Sequence, residues 1–154
     1  DRSITNSGDG YSTTSYTEYG AVNRLTKTNK LPILTCPDKE HDLYTIDSTN
    51  GNGALTNPIG LMTADEAAMA GMVNGYLNTL SYVYTGTWYW TMSPYRFNPS
   101  GSASSVWYVG GTGNFDYGWV PGGNGVRPVI NLKSDVEISG GIGTINDPFI
   151  VKTN

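Results

Sequence analysis

SSVWYVGGTGNFDYGWVPGGNGVRPVINL, residues 104–132, is the stretch that decides the fold. A Gly-Gly pair, a Gly-Asn pair and a Pro-Gly-Gly turn separate its apolar residues. Such turn-forming residues are typical of short strands joined by tight turns. We expect a buried face made of Val106, Val109, Phe115, Val120, Val126, Val129 and Leu132. The stretch therefore predicts several short strands.

The same stretch is almost uncharged. Between Asn98 and Val126 the only charged residue is Asp116, while Arg96 and Arg127 flank the segment. Tyr, Trp, Asn, Ser and Gly dominate, which is the composition of antibody binding loops, where aromatic rings give contact area and small polar residues give adaptable hydrogen bonds. The composition therefore indicates a binding surface, with Arg127 interpreted as a structural anchor.

Length and composition indicate one β-rich domain. The chain has 154 residues, 20 glycines and 8 prolines, with 14% charged and 12% aromatic residues, so we expect short strands and many turns in an α+β fold. The net charge is −4, and the basic residues gather only loosely at Arg24, Lys27 and Lys30. Nucleic acid and anionic membrane surfaces are therefore not expected as partners.

Neither a signal peptide nor a long apolar run is found, and the chain opens on DRSITNSGDG. We expect a soluble fragment or a mature, processed piece of a longer protein, without direct membrane contact in this fragment. The single cysteine, Cys36, is interpreted as a buried or incidental thiol, or as the partner of a cysteine upstream.

Local patterns predict few regular elements before residue 60. Residues 1–14 are polar and are expected to be poorly ordered, residues 15–25 suggest a short helix, and residues 31–35 suggest a brief strand. The connection 39–49 contains the single histidine, His41, which is interpreted as a solvated surface residue because no further metal ligands accompany it.

The clearest local signal is LMTADEAAMAG, residues 61–71. Thr63 followed by Glu66 is a capping box, so a helix should begin at Ala64, and Gly71 should end it. Asp65 and Glu66 are interpreted as helix-terminal charges rather than a catalytic carboxylate pair.

Aromatic residues are concentrated from Tyr76 to Trp119, with 13 of the chain's 18. Strand alternation at positions 88–90 should separate Tyr89 from the two flanking tryptophans, and most of these rings are expected in the core. The rings beside glycines and turns are candidates for display, namely Tyr95, Tyr108, Tyr117 and Trp119. Residues 136–139 and 148–151 predict a hairpin that closes the domain, and their acidic neighbours do not match a calcium loop.

Four motifs in order resemble a family of bacterial and phage surface proteins: GLMTADEAAMAG at 60–71, YWTMSP at 89–94, VWYV at 106–109 and GVRPVINL at 125–132. Such domains are similar to the C-type-lectin-like superfamily, which includes the formylglycine-generating enzymes and the variable proteins of diversity-generating retroelements. The resemblance implies a C-type-lectin-like α+β fold, with short strands in small antiparallel sheets, one or two short helices and long irregular loops. The resemblance covers about residues 31–151 and implies a domain at 31–154 with a variable binding region at 95–124. The polar segment 1–30, with a short helix, is expected to be part of this domain or packed on it.

The resemblance also implies two interleaved sets of residues. The fixed set contains Val106, Trp107, Val109, Gly113, Phe115, Val120 and Gly125. The displayed set contains Tyr108, Thr112, Asp116, Tyr117, Gly118, Trp119, Gly122, Gly123 and Asn124. In retroelement variable proteins, adenine-directed mutagenesis changes displayed positions while the scaffold stays fixed. Trp119 departs from this pattern, because a tryptophan codon is difficult to reach from an asparagine template.

We therefore expect a non-enzymatic adhesin or receptor-binding domain at a cell, pilus or phage surface, whose partner is a protein or glycan on another cell or host. The expected ligand-binding residues are Tyr95, Phe97, Asn98, Tyr108, Thr112, Asp116, Tyr117, Trp119 and Asn124. No catalytic residue, metal ligand or cofactor is expected, because an oxidase of the formylglycine-generating type needs a cysteine pair and no Gly-x-Ser-x-Gly elbow accompanies His41. The alternative is a structural tip module whose aromatic face packs on neighbouring pilus or tail subunits.

Overall fold

The structure, a computed structural model, describes residues 17–26, 28–36, 53–99, 104–132, 134–144 and 146–152, with residues 39, 43, 45 and 49. Its elements in chain order are β1 (Thr17–Glu18), α1 (Gly20–Arg24), β2 (Ile59–Leu61), α2 (Ala64–Met69), β3 (Tyr89–Phe97), β4 (Ser105–Val109), β5 (Phe115–Trp119), β6 (Pro128–Ile130), β7 (Ile138–Gly140) and β8 (Ile150–Val151). Small antiparallel sheets and two short helices make this an α+β chain, as predicted. The segment 1–14 and His41 lie outside the described residues.

The main sheet has the strand order β1-β3-β4-β5, and all of its pairs are antiparallel. The turn between β4 and β5 closes where the Gly110 N–H donates to the Asn114 carbonyl at 2.8 Å, as expected from the Gly-Gly and Gly-Asn signals. Two smaller sheets pair β2 with β6 and β7 with β8. The prediction of short strands joined by tight turns is confirmed.

Strand β3 is irregular around Pro94. Its pairing with β4 shifts register between Trp90 and Pro94, and again between Pro94 and Arg96. Proline cannot donate to a neighbouring strand and is tolerated within sheets at bulges. The irregularity decides where the last residues of β3 place their side chains.

Helix α2 begins at Ala64, as predicted. The Glu66 N–H donates to Thr63 Oγ1 at 3.1 Å, and the Thr63 N–H donates to Glu66 Oε2 at 2.7 Å, so both halves of the capping box are present. Gly71 follows the helix with a φ of +94°, a conformation that favours glycine. Helix α1 begins at Gly20, later than the start of the predicted segment 15–25.

The core lies between the two helices and one face of the main sheet, which we call the inner face. Trp107, Val109 and Phe115 are buried on that face, against α1 and α2. The helices contribute Ala21, Val22, Leu25, Ala64 and Ala67. Because α1 belongs to this core, the N-terminal helix is an integral part of the domain.

Several apolar residues that were expected in a strand or in the buried face are exposed. Residues 31–35 form no strand; Leu31 and Leu34 are exposed in irregular chain. Val109 and Phe115 are buried as predicted, whereas Val120, Val126 and Leu132 are exposed. These last three lie after β5 or beside β6, beyond the reach of the helices, so the expectation of a continuous buried face through residue 132 is wrong.

The predicted C-terminal hairpin is present as β7 and β8, with the Lys152 N–H donating to the Glu137 carbonyl at 2.9 Å. Its apolar side chains do not enter the core, since Ile138, Phe149 and Ile150 are all exposed. The hairpin therefore adds little buried apolar area to the domain.

Candidate functional site

The register between β4 and β5 divides the expected binding residues between two faces of the sheet. Trp107 lies opposite Tyr117 and Ser105 opposite Trp119 on the inner face. Tyr108 lies opposite Asp116 and faces the other side, which we call the outer face. The expected residues therefore do not form one continuous surface.

At the end of the inner face, three aromatic rings surround one arginine. The Tyr95 and Tyr117 rings stack with centroids 4.0 Å apart, and the Arg96 guanidinium lies 4.6 Å from the Tyr117 ring centre. The same guanidinium lies 5.6 Å from the Tyr95 ring and 5.9 Å from the Trp119 ring. We call Tyr95, Arg96, Tyr117 and Trp119 the edge cluster.

The edge cluster begins where the core ends. Tyr95 touches the core through Trp107, with ring centroids 5.0 Å apart, and is half-buried. Along β5, Phe115 is fully buried, Tyr117 is half-buried and Trp119 is 46% exposed. Exposure therefore rises along one face of one strand, and the last rings are available for contact.

Two buried polar atoms lie beneath the edge cluster. Ser105 Oγ and the Trp107 indole nitrogen Nε1 are buried and have no hydrogen-bond partner among the described residues. Ser105 pairs with Arg96 on one side and with Trp119 on the other. Buried polar groups normally have partners, so unsatisfied ones require a physical reason.

The electrostatics of the edge cluster favour a neutral Tyr95. Burial raises the pKa of Tyr95 to about 12, with further increases from Tyr117, Glu18 and Asp116 that outweigh the opposing effect of Arg96. The tyrosine hydroxyl therefore stays protonated at neutral pH and can donate a hydrogen bond.

The outer face carries a different aromatic group, the outer cluster of Trp88, Trp90 and Tyr108. The Tyr108 ring lies 4.5 Å from the Trp88 ring centre and 6.3 Å from the Trp90 ring centre. Asn114 Nδ2 donates to the Tyr108 hydroxyl at 3.0 Å. Burial raises the pKa of Tyr108, and only 7% of this residue is exposed. Tyr108 is therefore not displayed, contrary to its place in the expected set.

Gly118 permits the outer cluster to pack on β5. A Cβ atom at this position would lie 2.9 Å from Trp90 Cη2 and 3.2 Å from Tyr108 Cδ1. The rings therefore cover the backbone of β5 on this face. Gly118, expected among the displayed positions, serves this packing.

The remaining expected residues occupy several places. Asp116 lies on the outer face, where its Oδ1 accepts from the Tyr117 N–H at 2.9 Å and from Asn74 Nδ2 at 3.4 Å. Phe97 and Asn98 follow Arg96 at the same end of β3 as the edge cluster. Thr112 lies in the β4–β5 turn, and Asn124 precedes the residue that bridges to Tyr89 at the start of β3. Of the nine expected residues, the edge cluster brings together Tyr95, Tyr117 and Trp119.

Arg96 was absent from the expected set, although it holds the cluster together. Its position at the edge of an almost uncharged segment was the available signal, but the sequence does not indicate the bulge that turns Arg96 over the inner face. Arg127 does act as an anchor, as predicted. Its Nη1 donates to the Val83 carbonyl at 2.9 Å, and its guanidinium lies 5.5 Å from the Tyr89 ring centre.

Two kinds of feature are absent from the described residues. In that part of the chain, no helix is long and apolar enough to span a membrane. Across the same residues, no three His, Cys, Asp or Glu side chains lie close enough to share a metal ion.

The fold and site define an α+β domain with a half-exposed aromatic and arginine cluster at one end of its main sheet. Residues 13–134 match the family described as "Domain of unknown function (DUF6273)", and the chain belongs to that family. The match covers both helices and β1 to β6 and ends before β7. Comparisons with curated proteins and with solved structures give no match.

Proposed function

We propose that this domain is a non-enzymatic ligand-binding module of an extracellular or surface-displayed protein, with the edge cluster at the centre of its site. The observation that carries the proposal is the rise in exposure from Phe115 to Trp119 along the inner face. Rings held by a rigid strand but left half-exposed provide large contact area at low entropic cost. The partner is a protein or a glycan on another cell or host surface.

The edge cluster combines apolar contact with hydrogen-bond donors. Arg96 supplies a guanidinium and Tyr95 a protonated hydroxyl, whereas the donors of Ser105 and Trp107 are fully buried beneath the rings. A ligand with flat apolar surface and several acceptor oxygens would match this arrangement, directly or through water. Phe97 and Asn98 extend the contact area at the same end of β3.

The fold proposed for the domain is C-type-lectin-like, and its gene is proposed to be diversified by a retroelement. Support comes from the β4–β5 hairpin, where Trp107, Val109 and Phe115 are core residues while Tyr117 and Trp119 are not. Substitutions at the two outer positions would change the ligand without disturbing the core. A near-copy of codons 95–132 that differs at adenines, next to a reverse-transcriptase gene, would test this part; flanking DNA without one argues against it.

The binding proposal is tested by applying the fluorescently labelled domain to a printed glycan array and to intact bacterial and host cells. The double variant Tyr117→Ala/Trp119→Ala should lose the signal while keeping its melting temperature within a few degrees. Leu31→Ala is the matched control, because Leu31 is 63% exposed and lies outside the edge cluster. Unchanged binding by the double variant would reject the site, and a large drop in melting temperature would identify the rings as core.

The second candidate is a structural module that packs on neighbouring pilus or tail subunits. The observation that favours it is the exposure of Leu77, Leu80 and Tyr82 in one loop, together with the apolar side chains of β7 and β8. Exposed apolar patches mark interaction surfaces. Light scattering during size-exclusion chromatography separates the two, since assembly predicts concentration-dependent oligomers and ligand display predicts a monomer.

A further inference from the structure

A second site lies apart from the edge cluster, in a pocket of about 220 Å³ between the start of α2, the β2–β6 sheet and residues 33–36. Leu61, Met92 and Val129 line it with apolar surface, while Glu66, Ser93 and Asn131 add polar groups. Dry engineered cavities of about 150 Å³ bind molecules the size of benzene, so this pocket has room for a small organic ligand.

The pocket contains one carboxylate that is already neutralised. Arg24 Nη2 donates to both oxygens of Asp65, at 3.1 and 2.8 Å, and the Ile33 N–H donates to Asp65 Oδ1 at 2.9 Å. This ion pair is largely buried, with side chains 18% and 8% exposed. Asp65 therefore holds the residues 31–36 against α2 and is not available to a ligand.

Glu66 is different, because the capping box uses only half of its carboxylate. Its Oε2 accepts from the Thr63 N–H at 2.7 Å and from Thr63 Oγ1 at 3.0 Å. Its Oε1 accepts no hydrogen bond from any described residue, and Glu66 lines the pocket. Since Arg24 cancels Asp65, Glu66 leaves the described lining of the pocket with one net negative charge.

Ser93 adds a buried polar group beside Glu66. It is 6% exposed and lines the pocket, and its Oγ accepts from the Ala64 N–H at 2.9 Å. Within the described residues, the hydroxyl proton of Ser93 has no acceptor, so it can interact with a ligand or a water molecule. The lining of the pocket thus combines apolar side chains with a carboxylate and a hydroxyl.

From this arrangement we infer that the pocket binds a small primary ammonium ion with a short hydrocarbon tail. The ammonium group donates to Glu66 Oε1, and the tail packs on Leu61, Met92 and Val129. A carboxylate at partly buried depth favours an opposite charge and disfavours a like one. The site shares no residue with the edge cluster, so its occupation does not depend on the surface ligand proposed above.

Three probes of equal tail length test the charge argument: hexylammonium, hexanol and hexanoate. The isotope-labelled domain is titrated with each, and nuclear magnetic resonance follows the backbone amides of Leu61, Thr63 and Val129. We expect hexylammonium to bind roughly tenfold more tightly than hexanoate at low salt, with hexanol between them. Equal affinity for hexylammonium and hexanoate, or shifts confined to other regions, would overturn the inference.

Two substitutions change the charge of the pocket, one in α2 and one directly after β6. Glu66→Gln removes the charge but keeps a side chain that can complete the capping box, so the helix should persist. Asn131→Lys adds a positive charge at an exposed position of the lining. Each should weaken hexylammonium binding about tenfold and change hexanol binding less than about twofold.

The two variants together distinguish a loss of charge from a loss of folding. If Glu66→Gln lowers the melting temperature strongly, the comparison of hexylammonium with hexanol in Asn131→Lys decides the question. Unaltered hexylammonium affinity in a folded variant would show that the pocket charge plays no part. A parallel loss of all three probes in both variants would contradict the inference, because a change of charge alone should spare hexanol.

Discussion

The edge cluster and the outer cluster are both rich in aromatic rings and lie on opposite faces of the main sheet, yet their surroundings differ. In the outer cluster, Tyr108 is buried between two tryptophans and receives a hydrogen bond from Asn114. In the edge cluster, Tyr117 is half-buried, stacked on Tyr95 and covered by a guanidinium. Tyr108 and Tyr117 lie one ladder position apart, so aromatic composition does not decide which ring is available to a partner.

Backbone geometry makes the difference. On the outer face, Gly118 allows the rings of Trp90 and Tyr108 to pack directly on the backbone of β5, so that part of β5 is covered. On the inner face, the helices cover the sheet as far as Phe115 and leave the end of β5 uncovered. A binding site built on rigid strands requires such an uncovered end, because its rings must be both fixed and accessible.

The largest effect is expected where the outer cluster is broken. Tyr108→Ala should lower the free energy of unfolding by about 3–5 kcal/mol, the range for removing a buried aromatic ring. Chemical denaturation measures the change, and Tyr108→Phe is the control that keeps the ring and loses only the hydrogen bond, at about 1 kcal/mol. A cost below 1 kcal/mol for Tyr108→Ala would mean that the ring is displayed after all.

A smaller loss is expected at the glycine beneath the outer cluster. Gly118→Ala places a methyl group 2.9 Å from Trp90, so the ring must move. Overpacking should outweigh the entropic gain from replacing glycine and destabilise the domain by roughly 1–2 kcal/mol. The control is Gly123→Ala, where the added carbon has no neighbour within 4 Å and stability should hold. Equal effects at the two positions would show that the outer rings do not depend on Gly118.

The sequence predicted the elements better than it predicted their faces. The capping box placed the start of α2 at Ala64, and the glycine-rich turn placed the β4–β5 hairpin, because both are local signals. Strand alternation also separated Tyr89 from its flanking tryptophans. Tyr89 is buried, and Trp88 is exposed.

The predictions that were wrong or missing depended on contacts between segments that are distant in the sequence. Whether Val120 or Val126 is buried depends on how far the two helices reach over the sheet, which no local pattern states. Tyr108 and Tyr117 both lie beside glycines, and only the register shows that they face opposite ways. The bulge at Pro94 brings Arg96 over the inner face, so the charge central to the edge cluster was missed. The pocket beside Glu66 joins segments far apart in the chain and left no sequence signal.

In contrast to Tyr108→Ala, the same substitution at Tyr117 should cost only about 1–2 kcal/mol. Tyr117 is half-buried, and the stack with Tyr95 and the contact with Arg96 each contribute on the order of 0.5–1 kcal/mol. Denaturation of the two variants under identical conditions gives the comparison directly. If Tyr117→Ala is as destabilising as Tyr108→Ala, the edge cluster is part of the core, and the proposed binding site loses its physical basis.

The smallest effect is spectroscopic and concerns Tyr95. Burial raises its pKa to about 12, above the ordinary value of 10.0. Because the folded state holds this proton more tightly, the associated stability is fully present below about pH 10 and is lost as pH rises through about 12. Subtracting the tyrosinate absorbance titration of Tyr95→Phe from that of the unmodified domain should leave one component with a midpoint near 12.

Tyr117→Ala exposes the Tyr95 ring and removes a neighbouring ionisable hydroxyl, so the midpoint should move down towards 10. A component already near 10 in the unmodified domain would mean that Tyr95 is solvated, and that the edge cluster is open to water through its whole depth.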